Sequence, residues 1–192
     1  MTSRVTEMPA GPHQHWRPLF GSLRGATALL GAAFATAAAW AAFAQMPPMP
    51  VRVGHVILET TVPLGYQLSV FPAFGAFLAA LALDVARGDD RRTWVPRALL
   101  LASTGLLATA RLMGALPLSG HGLFLFAALA YELAPPPGRD AQDAHVSLSL
   151  AIPGLLVVGW CKLVVWGDPL WFGVSAVLGT LIGVALARVA RA

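Results

Sequence analysis

The chain has 192 residues, of which 57% are hydrophobic and only 11% charged, with a formal net charge of +4. Soluble domains carry about a quarter charged residues, so this composition excludes an ordinary soluble domain and points to the bilayer. The basic excess does not indicate nucleic-acid binding, because the Lys and Arg residues lie between apolar runs and form no basic stripe interleaved with aromatics.

A hydrocarbon core takes about 20 apolar residues per helical span, and the chain has room for about six. The expected fold is all-α, a polytopic membrane helix bundle. Residues 1–24 are expected to form a cytoplasmic tail and residues 25–192 a six-helix transmembrane domain, with both termini cytoplasmic.

The tail is polar and basic, and its His13 and His15 are read as solvated rather than as metal ligands. A first, alanine-rich span runs from about Gly25 to Gln45. Its end, Ala42-Phe43-Ala44, resembles a signal-peptidase site, but the preceding basic stretch is long for a leader, so a retained helix is expected. Met46-Pro-Pro-Met-Pro50 stops it, since proline cannot continue a helix. The following loop carries Arg52, His55 and Glu59, and Gly54 to Thr61 is expected to be a short amphipathic or re-entrant piece.

A second span covers roughly Leu64 to Leu83, with Pro72 expected as a kink. Asp84 to Arg97 then reads as the most charged loop of the chain. A third span runs from about Pro96 to Leu116, with Arg111 near its far end, and Ser119 to Leu133 gives a short fourth one. The proline-rich turn Pro135 to His145 breaks the helix. His145 and Glu132 read as local hydrogen-bonding residues near the cytoplasmic side. The fifth span is about Val146 to Trp166, interrupted by Pro153, and the sixth about Pro169 to Val189. In the last, Ser175, Gly179 and Gly183 recur every fourth residue, a small-residue stripe that lets helices approach closely. Cys161, the single cysteine, has no internal disulfide partner.

Orientation follows from the basic residues of the loops. With this layout, ten Lys and Arg residues fall on the side of the termini and three (Arg52, Arg111 and Lys162) at or near the other, which makes the termini cytoplasmic. Trp40, Tyr66, Trp160, Trp166 and Trp171 then fall near the outward ends, as an aromatic belt does. The outward loops collect His55 and Glu59, then Arg111 with Ser119-Gly120-His121, then Lys162 with Asp168. Ionisable groups at membrane depth are costly and point to function.

Pro117-Leu-Ser-Gly-His121, at the start of the fourth helix, resembles the second motif, Pro-Ser-Gly-His, of the type 2 phosphatidic-acid phosphatase superfamily. Members are six-helix membrane enzymes that remove phosphate from lipids at the outer face. The third motif of that family, Ser-Arg, five residues, then His, falls at the junction of helices five and six. Cys161-Lys162 and Asp168 stand at the matching place and spacing, with all three residues substituted. The first motif is largely absent, and only Arg111 stands for its leading basic residue. The resemblance implies that His121 is the general acid, that Asp168 occupies the nucleophile's position, and that Arg111 and Lys162 clamp phosphate. Ser119 and Gly120 would add a hydroxyl and amides at a helix N-terminus, where anions are favoured.

Structural roles compete for the same residues. Asp168-Pro169 is a standard helix start, with Asp as cap and Pro at the first position; Ser119 can cap the fourth helix, and Lys162 can extend towards headgroups. A carboxylate in the nucleophile's place repels phosphate unless a divalent cation offsets it, and Lys gives up the bidentate recognition that Arg provides. His55 and Glu59 can be joined with His121 and Asp168 in a metal site, but no spacing fixes that geometry, and neither metal nor other cofactor is expected. The expected function is a phosphatidic-acid-phosphatase-like protein of the bacterial inner membrane, acting on or binding a phosphorylated lipid at the outer face. The alternative is a non-catalytic membrane subunit or lipid-binding scaffold that keeps the fold. A small transporter is disfavoured, since no inverted repeat or pair of broken helices is visible.

Overall fold

Prolines, glycines and one serine cap set the ends of the helices. The computed structural model describes residues 23–44, 51–53, 56–58, 64–115, 117–134, 141–165 and 167–191. Helix α1 covers Leu23–Phe43, and two short strands, β1 (Val51–Val53) and β2 (Val56–Leu58), follow. They pair antiparallel with Arg52 opposite Ile57. Where a short amphipathic or re-entrant piece was expected, Val56 to Leu58 is a strand, as adjacent β-branched valine and isoleucine favour.

The expected second span is a broken one. Helix α2 covers only Leu64–Leu68, and α3 starts afresh at Phe71 and runs to Ala86. Pro72 lies in the first turn of α3, where its missing N–H costs nothing, and the span Gly65–Ala86 is interrupted just before it, at Ser69 and Val70. Helix α4 covers Arg91–Leu112, capped by the Asp90 side chain, which accepts from the Arg92 amide at 3.2 Å. The charged loop thus shrinks to residues 87–90, and both Asp84 and Arg97 belong to helices. Gly114 takes φ +75°, a conformation open to glycine at no steric cost, and the Ala115 amide closes back on the Ala110 carbonyl at 2.9 Å to end α4.

Helix α5 covers Gly120–Leu133, and α6 covers Ala141–Trp160, with Pro153 inside an unbroken helix. Its last stretch, Cys161–Val165, widens into a π turn. Helix α7 then runs from Pro169 to Val189. Four segments are long and apolar enough to cross a membrane: Leu23–Ala42, Gly65–Ala86, Val146–Val164 and Pro169–Val189. Helix α5 is apolar but shorter, and α4 carries four arginines along its 22 residues.

The packing depends on small residues, as it must where lipid gives no hydrophobic drive between helices. Helix α7 lies along α5 with Ser175, Gly179, Gly183 and Ala187 buried. A side chain at Gly179 would meet the Leu123 carbonyl at 2.5 Å. Helix α1 crosses α3 in the same way at Gly31 and Gly75. Between α3 and α5 the core is aromatic: Phe77 meets Phe124 and Tyr131 edge-on, with ring centres 6.1 and 5.9 Å apart.

Candidate functional site

Polar residues gather at one end of the bundle, where α2, the end of α4, the start of α5 and the π turn meet. Ser119 caps α5, its hydroxyl accepting from the Gly122 amide at 3.3 Å. Its own amide donates to the Ser175 hydroxyl of α7 at 2.8 Å, and that hydroxyl donates to the Trp171 carbonyl at 2.7 Å. Ser119 is 2% exposed, so the cap is built into the bundle.

His121 is held from the side of α2. Its ring faces the Gln67 backbone and lies against the Tyr66 ring, with centroids 4.7 Å apart. Tyr66 in turn lies beside the Ser119 side chain. This corrects the aromatic-belt reading of Tyr66: it is buried, whereas Trp40, Trp160 and Trp171 are exposed, and Trp166 lies outside the described residues. A tyrosine and a glutamine opening an apolar span straight after Pro63 were the available signal for it.

Arg111 ends α4 and donates to the Leu118 carbonyl at 2.5 Å, which bridges the loop between α4 and α5. Lys162 sits inside the π turn, and its backbone carbonyl accepts from the Asp168 amide at 2.9 Å. Its ammonium is 3.7 Å from the Asp168 carboxylate, and the residue is buried. It is therefore enclosed by the bundle. Asp168 precedes α7 without a side-chain capping bond, so its carboxylate serves the lysine and not the helix end. Gly167, at φ +59°, makes the turn that folds the two back on each other.

Arg111 and Lys162 both act electrostatically on His121, and Arg111 acts on Lys162. One end of the bundle thus collects two cations, an imidazole, a carboxylate and a phenol. A cavity of about 280 Å³ opens beside them, with Arg111, Gly120 and His121 on its wall. Lys162 and Asp168 do not line it. Its other walls are apolar, from Val70, Phe71 and Phe74 on one side and Leu101, Ala108 and Phe124 on the other. Chemically the arrangement suits an anion beside a hydrocarbon surface.

His55 and Glu59 lie outside the described residues, as do His13 and His15, and the His145 side chain is likewise not described. Among the described residues no three His, Cys, Asp or Glu side chains gather into a metal-binding group. Glu132 is buried on the far half of α5. A second polar cluster, invisible in the sequence, lies away from the site: Asp84 of α3 pairs with Arg97 of α4, and Arg24 of α1 approaches Asp84 at 3.6 Å and Asp89 at 2.7 Å. Comparison with known protein families, with characterised proteins and with solved structures finds no match.

Proposed function

We propose that the protein crosses a bacterial plasma membrane six times, with both termini cytoplasmic, and holds a phosphorylated lipid at the outer face. The reading joins two supports: the likeness of Pro117-Leu-Ser-Gly-His121 to the phosphatidic-acid phosphatase motif, and the grouping of Arg111, His121 and Lys162 at one end of the bundle. That grouping carries the proposal, since two cations and an imidazole are costly at membrane depth and together complement a phosphate. Arg111 offers a planar array of donors for phosphate oxygens, and Lys162 a point charge. On the likeness to the phosphatase motif, His121 would give a proton to a leaving alkoxide, which would make the protein a phosphoric-ester hydrolase with Asp168 in the acceptor's position.

The second reading, a scaffold that binds the lipid without turning it over, is favoured by one contact. Asp168 is engaged with Lys162 at 3.7 Å, and a carboxylate already neutralising the lysine is a poor phosphoryl acceptor. The test is dephosphorylation of phosphatidic acid and a polyprenyl diphosphate by purified protein, with and without divalent metal. Wild type is compared with His121→Ala and Asp168→His. Activity that His121→Ala abolishes establishes the enzyme; activity gained only with Asp168→His establishes the scaffold. If neither protein hydrolyses nor binds either lipid, both readings fail.

A further inference from the structure

The cavity beside Arg111 has a polar end and an apolar body, and the two are ordered along the helices. Arg111, Gly120 and His121 stand at the polar end, where α4 finishes and α5 begins. Leu101 lies ten residues earlier on α4, roughly 15 Å further into the bundle at 1.5 Å per residue. Phe74 and Phe124 meet edge-on on the cavity wall, centroids 5.6 Å apart. Thr104, also on the wall, turns its hydroxyl to its own helix, donating to the Leu100 carbonyl at 2.7 Å, and leaves the surface apolar.

We infer that this cleft takes one hydrocarbon chain, so that the ligand is a single-chain lipid phosphate, of the lysophospholipid or isoprenyl phosphate kind. The inference rests on the phosphate reading for its head group and on the cavity for its tail. The size of the open cleft matches one chain. A cavity of about 150 Å³ accepts one benzene ring, so 280 Å³ corresponds to on the order of a dozen carbons, too few for two acyl chains side by side. Charge fixes the direction, since Arg111 at the mouth attracts the anionic head while the apolar walls exclude it from the depth. The guanidinium carries five donors, and its contact with Leu118 uses one.

Gly105 provides the test. It is exposed on the cleft wall, and a Cβ there meets nothing within 4 Å, so Gly105→Leu and Gly105→Phe fill the cleft from a position that tolerates a side chain. Full-length protein in phosphatidylcholine nanodiscs would be titrated with oleoyl lysophosphatidate, farnesyl phosphate, dioleoyl phosphatidate, monooleoylglycerol and inorganic phosphate. The two single-chain phosphates should bind at least tenfold more tightly than dioleoyl phosphatidate and inorganic phosphate. Gly105→Leu and Gly105→Phe should weaken them progressively, the second by tenfold or more, with an unchanged melting temperature. Preference between the acyl and isoprenyl arms tells the two sources apart. Unchanged binding in both Gly105 variants, or equal affinity for one-chain and two-chain phosphates, overturns the tail site. Arg111→Gln separates that failure from the other. If it leaves lysophosphatidate binding intact and monooleoylglycerol binds as well as the phosphates, the phosphate reading is wrong while the tail site stands.

Discussion

Arg97 and Asp84 form an ion pair inside the bundle, with each side chain only 1% exposed. The two residues tie α4 to α3, with the guanidinium 5.9 Å from the Phe77 ring centre, and Arg24 brings α1 to the same carboxylate. Removing one partner of a buried pair leaves a charge without compensation and costs about 3–5 kcal/mol. Asp84→Asn and Arg97→Met should each lower the melting temperature in detergent accordingly. Replacing both, as Asp84→Leu with Arg97→Met, should recover most of the loss. If the double variant melts as low as the worse single one, the pair contributes more than mutual neutralisation.

This pair marks where sequence reasoning stopped. The start of α7 at Pro169 and the Ser119 cap of α5 were legible because both depend on local chemistry: a ring that fixes φ, and a hydroxyl that reaches an amide three residues on. The stripe Ser175, Gly179, Gly183 was legible for a similar reason, since helical period alone puts those residues on one face. Asp84 and Arg97 read as a solvated loop because burying either depends on meeting the other across two helices, which no local pattern records. Tyr66 was assigned to the membrane surface by its position near a helix end. Its burial comes from the break at Ser69 and Val70, which turns α2 onto His121. The cluster of Arg111, His121 and Lys162 was expected from topology, but the pairing of Lys162 with Asp168 needed the π turn and Gly167, neither of which has a distinct sequence signature.

Gly179 and Gly183 set the spacing of α7 against α5. A Cβ on Gly179 would fall 3.1 Å from the Phe126 Cβ and nearer still to the Leu123 carbonyl, so the helices must separate to admit it. Overpacking of this kind costs about 1–3 kcal/mol, and Gly179→Val and Gly183→Val should each destabilise the protein by that amount. Gly173 lies on the same helix but meets nothing within 4 Å, and Gly173→Ala should be neutral or stabilise by up to about 1 kcal/mol through helix propensity. Thermal unfolding of the three variants side by side is the measurement; equal destabilisation at Gly173 would remove the packing explanation.

Ser119 and Ser175 hold the site end of α5 to α7 through a buried amide. Ser119→Ala removes a cap worth about 1 kcal/mol. Ser175→Ala leaves the Ser119 amide without its acceptor, a loss of about 1–3 kcal/mol for a buried donor. Hydrogen exchange at the Ser119 amide should accelerate in Ser175→Ala more than the change in global stability accounts for. Exchange no faster than in wild type would mean that the amide finds another acceptor.

On the phosphate reading, the Asp168 carboxylate competes with the phosphate for the Lys162 ammonium. The pair is short of ideal geometry at 3.7 Å and its carboxylate is 34% exposed, so by itself it stabilises the fold by no more than about 1 kcal/mol. Its effect on binding should be larger than its effect on stability. On that reading, Asp168→Asn removes a negative charge near the phosphate and should raise affinity for a lipid phosphate several-fold. Lys162→Gln should lower affinity by a similar factor, and the gain in Asp168→Asn should shrink as salt screens the charges. Titration of the same lipid phosphate into wild type and both variants at low and high salt decides the matter. If Asp168→Asn and Lys162→Gln both bind as wild type does, the ammonium is a structural partner of Asp168 alone, and Arg111 with His121 holds the phosphate without it.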